Sequence, residues 1–165
     1  YKAREDGLHV LDLKKTNERL ALAASLISKY PLEKFYVVGS KDNAKKAVQK
    51  FAELTGSVAL SARFTPGRFT NPARTDFCEP KLVMVVDPAV DKQSVREAFE
   101  INTPVIALCD TNNNTKYIDL VIPTNNKGRK SIALIFWILA REVLKLQGKI
   151  SLNEEYTVEL SDFEA

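Results

Sequence analysis

Apolar residues recur along this chain in two rhythms, short continuous runs and longer stretches at helical spacing, and their alternation predicts the architecture. Residues 16–30 form the first helical pattern, with Leu20, Ala23, Ala24 and Ile27 on one face and Pro31 as its stop. A short apolar run at 8–13 precedes it. Residues 35–38 make a strand-like run closed by Gly39 and Ser40. Ser40 is the expected N-cap of a second helix starting at Lys41, which carries Ala44, Ala47, Val48 and Phe51 on one face and Gly56 past its end. Four further strand-like runs occupy 58–60, 82–86, 104–108 and 117–122. Asp91 is a candidate N-cap for a helix through Val95, Ala98 and Phe99. The last helical pattern spans 130–147, with Ile132, Ile135, Phe136, Leu139, Val143 and Leu146 on a broad face and Gly148 as its stop.

Apolar runs alternating with amphipathic helices predict an α/β fold: a mostly parallel five-stranded sheet inside a three-layer helix-sheet-helix sandwich with right-handed crossovers. Residues 1–150 are expected to form one domain, since no repeat or linker divides them. Residues 61–80, SARFTPGRFTNPARTDFCEP, break the alternation. Pro66, Gly67, Pro72 and Pro80 keep this stretch out of a helix or a central strand. Long irregular connections in compact domains are usually functional or disordered. Phe64, Phe69 and Phe77 argue against disorder, and their interleaving with Arg63, Arg68 and Arg74 suggests a recognition surface.

Charge sharpens this picture. The formal net charge is +3, yet Glu154, Glu155, Glu159, Asp162 and Glu164 all fall after residue 150, with no Lys or Arg among them. Without those five, residues 1–150 carry +8. Residues 151–165 are therefore expected to be an acidic, flexible tail. A basic body suggests a polyanionic partner, although surplus lysine also serves solubility. No apolar run reaches the roughly 18 residues of a membrane span, and nothing at the start resembles a cleavable signal, so a soluble cytoplasmic protein is expected. Cys78 and Cys109 lack CxxC spacing, which indicates neither a disulfide framework nor a metal site.

Candidate chemistry gathers at the strand ends, where ligands of such sheets usually sit. Asp87, Asp110 with Thr111, and Gly39 with Ser40 are the groups there. A metal or phosphoryl-transfer site could use the aspartates, and an anion could use the helix start after Ser40. Against this, Asp87 precedes Pro88 and Asp110 opens an asparagine-rich turn, both ordinary structural roles, and the chain has neither GxGxxG nor GxxxxGK[ST]. His9 is the sole histidine, and no Ser or Cys has the context of a nucleophile elbow. Trp137 is expected in the core or a subunit contact. The cations cluster better: Asn125, Asn126, Lys127, Arg129 and Lys130 form the series IPTNNKGRK at 122–130. Asparagine amides and neighbouring cations suit phosphate and ribose, while a turn followed by solvated charges is the competing account. Arg141, Lys145 and Lys149 share a helical stripe; Lys41, Lys45, Lys46 and Lys50 look like a solvated face.

At these residues the chain resembles a known family. DGLHVLDLKKTNERL (6–20), RFTPGRFTNP (63–72), EPKLVMVVDP (79–88), INTPVIALCDT (101–111) and IPTNNKGRKSIALIFWILAREVL (122–144) are similar, in order and spacing, to small-subunit ribosomal protein two. The last helix, with Trp137 and AREV at 140–143, looks like the archaeal and eukaryotic branch, which includes the laminin-receptor precursor. A natural N-terminal segment before Tyr1 is expected, a bacterial-type hairpin insertion between Tyr30 and Phe35 is absent, and the short acidic tail fits an archaeal-type member. Arg68 stands where many relatives carry a small residue followed by Leu.

The resemblance implies a flavodoxin-like parallel sheet and a structural constituent of the cytoplasmic small ribosomal subunit. Its partners would be small-subunit ribosomal RNA and neighbouring ribosomal proteins, with no catalytic activity, cofactor, metal, membrane or small-molecule substrate. Arg63, Arg68, Arg74, Lys127, Arg129 and Lys130 would contact phosphates; Asn71, Asn125, Asn126 and the phenylalanines would contact ribose or exposed bases. Two other classes stay open: a sugar-phosphate or nucleotide-binding enzyme domain using Ser40 and Asp87, and a laminin-receptor-type interaction module.

Overall fold

The structure is a computed structural model that describes residues 2–150 and 156–165. Strands β1 (Lys2–Ala3) and β2 (His9–Val10) form a small antiparallel ladder. Then follow α1 (Leu13–Ser28), β3 (Phe35–Val38), α2 (Asp42–Thr55), β4 (Val58–Leu60), β5 (Leu82–Val85), α3 (Lys92–Glu100), β6 (Val105–Cys109), β7 (Leu120–Pro123) and α4 (Arg129–Leu146). The main sheet has the order β4-β3-β5-β6-β7, and each pairing in it is parallel. This is the expected α/β sandwich. Every residue of β5 and β6 is buried, which is why these strands are continuous apolar runs rather than alternating ones.

Element boundaries shift where side chains intervene. Helix α1 starts at Leu13, ahead of the expected position, because the Asp12 carboxylate accepts a hydrogen bond from Lys14 N at 3.0 Å. Ser40 does not cap α2: Lys41 holds that position, and the Ser40 hydroxyl donates instead to Asp91 Oδ1 at 2.6 Å. Strand β7 begins at Leu120 rather than 117, since Tyr117 has a left-handed backbone (φ 66) and Asp119 accepts from Val105 N at 2.8 Å. Asp91 stands before α3, but its side chain faces Ser40 and makes no cap bond to that helix.

One face of the sheet is covered by α1, α2 and α4. Phe51 of α2 packs edge-on against Phe35 of β3 and Phe136 of α4, with centroids 6.2 and 5.4 Å away. The turn from β3 into α2 needs Gly39: a Cβ there would lie 3.0 Å from both Val48 Cγ2 and Val86 Cγ2.

Among the described residues, the opposite face carries a single helix, α3. Val95 and Ala98 of α3 cover part of it, and Phe64 and Phe69 of the irregular connection cover the rest, packing on Val38, Leu60, Val83, Val85, Val105 and Ala107. Phe64 meets Phe69 edge-on at 4.8 Å, and Phe69 meets Tyr36 of β3 at 6.2 Å. Residues 61–80 thus take the place of a covering helix. Phe64 and Phe69 are buried and face the sheet, so they are core residues and not the RNA contacts expected of them.

The C-terminal stretch also departs from expectation. Residues 156–165 lie against α2 and α4, with a short 3-10 turn at Leu160–Phe163 that buries Phe163 completely. Val158 and Leu160 pack on the same core. Trp137 Nε1 donates to Val158 O at 2.7 Å, and Tyr156 lies 5.2 Å from the Trp137 ring. Lys46 Nζ donates to Ser161 O at 3.2 Å. The acidic count hid this apolar series; the remainder of the expected flexible tail, 151–155, lies outside the described residues.

Candidate functional site

Beyond the carboxyl end of β7, a turn held by asparagines leads into α4. Asn125 Oδ1 accepts from Lys127 N at 2.9 Å and Gly128 N at 3.2 Å, and Ser131 Oγ donates to Asn125 O at 2.8 Å. Asn43, in the first turn of α2, donates to Lys127 O at 2.5 Å. Asn126 is fully buried and donates to Leu108 O and Asn113 Oδ1, both at 2.9 Å. Asn126 therefore anchors the turn to β6 from inside, a correction to its expected role at an RNA surface. The outcome of these bonds is a rigid turn from which Lys127, Arg129 and Lys130 project into solvent.

The electrostatics of that turn run against simple stability. Arg129 and Lys130 open α4, whose first turn contains no acidic residue and whose N-cap, Gly128, offers no side-chain cap. Cations at a helix N-terminus oppose the macrodipole, at a penalty of roughly 0.3–1 kcal/mol each when exposed. Free N–H groups and two cations at one point form a site suited to an anion.

Residues 61–80 hold their arginines differently. Gly67 has φ 86, and its N–H donates to Glu97 Oε1 at 2.6 Å, while Phe69 N donates to Glu97 Oε2 at 3.0 Å. Glu97, buried on α3, also accepts from Gln93 Nε2 at 2.8 Å. One carboxylate thus clips the connection onto the helix. Arg74 pairs with Asp76 at 2.7 Å, and this guanidinium bond holds the Asp76 carboxyl down to about 2. Arg68 is half-buried with its Nε buried and lacking a hydrogen-bond partner. Asn71 is exposed, and its side chain accepts from Ala73 N at 3.0 Å to shape a local turn. Arg63 is exposed just past the end of β4. Arg63, Lys127, Arg129 and Lys130 have no ion-pair partner among the described residues.

The nine predicted residues accordingly divide. Arg63, Asn125, Lys127, Arg129 and Lys130 follow carboxyl ends of strands and face solvent. Arg68, Asn71 and Arg74 belong to the layer clipped to α3, and Asn126 is interior. Glu97 and Asn113 were missed. A signal for Glu97 was available, because it shares the buried face of α3 with Ser94 and Ala98.

The strand-end groups considered for chemistry bond to one another. Asp87 pairs with Lys41 and accepts from Asn113 Nδ2 at 3.2 Å and from Ala89 N at 2.9 Å. Asp91 takes both the hydroxyl and the N–H of Ser40, and burial pushes its carboxyl up. Burial likewise drives the Cys109 thiol up to about 12. Among the described residues no helix is long and apolar enough to cross a membrane.

Comparison with known proteins agrees with the motif series. The family model described as Ribosomal protein S2 matches residues 1–77 and 73–145. Small ribosomal subunit protein uS2 of Thermofilum pendens is 53% identical over 165 residues, covering 100% of this chain and 77% of the relative. The protein of the same name from Thermoplasma volcanium is 47% identical, covering 100% and 83%. That from Saccharolobus solfataricus is 46% identical over 164 residues, covering 99% and 71%. With motifs, family model and relatives in agreement, this chain belongs to the ribosomal protein S2 family, in its archaeal-type branch.

Proposed function

We propose that this protein is a structural constituent of the small ribosomal subunit, and that it binds ribosomal RNA through the turn at Lys127, Arg129 and Lys130, with Arg63 as a further phosphate contact. The observation that carries this reading is the placement of Arg129 and Lys130 at the uncapped start of α4, where they oppose the dipole unless an anion lies there. The relatives named as small-subunit proteins supply the setting. Phosphates would position the protein, and Asn125 would help hold the turn that meets them. Neighbouring small-subunit proteins are the other expected partners, and the cytoplasm the compartment.

No specific observation favours an enzyme: Ser40, Lys41, Asp87 and Asp91 are engaged in bonds among themselves that tie β3 and α2 to the loop after β5. Nor does any specific observation favour the laminin-receptor-type reading.

The test is filter binding of the full chain to purified archaeal small-subunit ribosomal RNA across a salt series. Each phosphate contact contributes about 0.7–0.9 to the log-log slope. The triple variant Lys127→Gln, Arg129→Gln, Lys130→Gln is expected to bind more weakly and to lower that slope by about 2. An unchanged slope and affinity would reject the turn as a phosphate site.

A further inference from the structure

A second basic surface lies away from the turn. Helix α3 is flanked on one side by residues 61–80 and on the other by the connection between β6 and β7. Between α3 and that second connection runs a groove of about 540 Å³. Lys92 and Arg96 of α3 and Lys116 of the connection line it together with Asn112, Asn114 and Tyr117, and no carboxylate is among its lining residues. Arg96 shares its charge with Glu100 at 3.0 Å; Lys92 has no ion-pair partner among the described residues. Three cations without a lining carboxylate favour a polyanion.

The groove ends on aromatic surface. Tyr117 is stacked on Phe99 at 4.2 Å with planes 29° apart, and both rings stay substantially exposed, 40% and 52%. Phe99 is not one of the groove's lining residues, and it lines an adjoining pocket together with Tyr117. Lys116 Nζ stands over the Tyr117 ring, 4.8 Å from its centroid, so a base that stacks there displaces this exposed ammonium toward a flanking phosphate. Tyr117 adopts its φ of 66 in a region that bulky side chains rarely occupy. The chain thus holds a large aromatic side chain in a strained backbone, partly in solvent, beside a row of cations.

Base stacking on an aromatic platform with phosphates tracked by lysine and arginine is the chemistry of single-stranded nucleic acid binding. We propose that this groove binds an unpaired segment of ribosomal RNA, with one base stacked on Tyr117 and its flanking phosphates on Lys92, Arg96 and Lys116. Asn112 and Asn114 line the path of the backbone and can meet ribose or base edges. The inference rests on the ribosomal reading given above but uses a different set of residues, so the two can fail separately. A protein partner would be expected to present carboxylates to the lysines and to leave binding of bare RNA unaltered.

The probe is a fluorescent oligouridylate about 12 nucleotides long, within the site sizes such grooves accommodate, titrated against the full chain by anisotropy. Purified archaeal small-subunit ribosomal RNA is measured in parallel. Tyr117→Ala is expected to weaken oligouridylate binding at least about fivefold, the lower end for loss of one stacked base. Tyr117→Phe should retain it, and Lys92→Gln with Lys116→Gln should weaken it and flatten its salt dependence. Because these side chains are exposed, circular dichroism should stay unchanged. If Tyr117→Ala and the lysine pair bind oligouridylate as the wild type does, the inference is overturned, including the case where they release a small-subunit protein instead. If the groove variants fail while the Lys127, Arg129, Lys130 variant binds ribosomal RNA normally, the groove stands and the turn is the part rejected.

Discussion

Replacing Glu97 by alanine tests whether the irregular connection is held as a layer of the fold. In the wild type its carboxylate accepts from Gly67 N at 2.6 Å and Phe69 N at 3.0 Å, and only 1% of the residue is accessible. Hydrogen bonds to charged groups contribute about 1.5–3 kcal/mol each, reduced here by the desolvation that burying the carboxylate already requires. The two main-chain donors would lose their acceptor in a buried site, so about 3 kcal/mol is the expected loss. For a protein of this size that lowers Tm by roughly 6–12 °C, taking about 2–4 °C per kcal/mol. Urea denaturation followed by tyrosine and tryptophan fluorescence reads the same change as a midpoint shift of about 1.5 M, for an m of about 2 kcal/mol/M. Glu97→Gln keeps one carbonyl oxygen for one of the two donors and should fall between. Native-state hydrogen exchange adds location: the Gly67 and Phe69 amides should lose protection before those of β5. A midpoint within about 0.3 M of the wild type would refute the clip, because surface substitutions alone stay within about 0.5 kcal/mol.

Phe163→Ala should destabilise the domain by about 3–5 kcal/mol in the same assay, as for other buried phenylalanines, whereas a free tail would give less than about 0.5 kcal/mol. The Asp76 carboxyl, observed by carbon NMR, should titrate near 2 instead of its ordinary 3.8. Its folded value is depressed, so its stabilising contribution is present above the unfolded value and is lost as pH falls through about 2. Arg74→Ala should return the titration toward 3.8, and a wild-type midpoint already near 3.8 would remove the pair from solution. Cys109, with its thiol pushed to about 12 by burial, should resist a disulfide reagent at pH 8 in the native state and react readily in guanidinium; rapid native labelling would contradict its placement.

The sheet was legible because a strand buried on both faces has to be apolar at every position, and 82–86 and 104–108 are. The covering helices on one face were legible for a related reason: Ala44, Ala47, Val48 and Phe51 can share a face only at helical spacing. The opposite face was not, because its cover is mostly irregular chain without a period to detect. Phe64 and Phe69 looked like recognition aromatics among arginines, and nothing local distinguishes a phenylalanine that points to solvent from one that fills a missing helix's place. Asn126 was misplaced for a similar reason, since adjacent asparagines in a turn face opposite ways and composition carries no direction. Ser40 was misread because its hydroxyl is drawn to Asp91, a residue distant in sequence, while Lys41 holds the cap position. In the tail, five carboxylates outweighed Val158, Leu160 and Phe163, though three apolar residues suffice to dock a short segment on α2 and α4.

The arrangement explains why irregular chain serves this face better than another helix would. A helix must give one side to the sheet and repeats its exposed positions every turn, which limits where cations can stand. Residues 61–80 instead bury Phe64 and Phe69, tie Gly67 and Phe69 to Glu97, and leave Arg63 and Asn71 free to face outward. The connection between β6 and β7 follows the same logic, with Asn113 tied to Asp87 and Asn126 while Lys116 and Tyr117 face solvent. Such internal bonds order the loops before a partner arrives, and ordering a rotamer-rich side chain on binding otherwise costs about 0.5–1.5 kcal/mol each. Polar residues within the loops therefore act on binding through the free state. Weakening an internal clip such as Glu97 should lower affinity at the neighbouring contacts without removing any contact itself, and should leave the salt slope, which counts phosphates, unchanged.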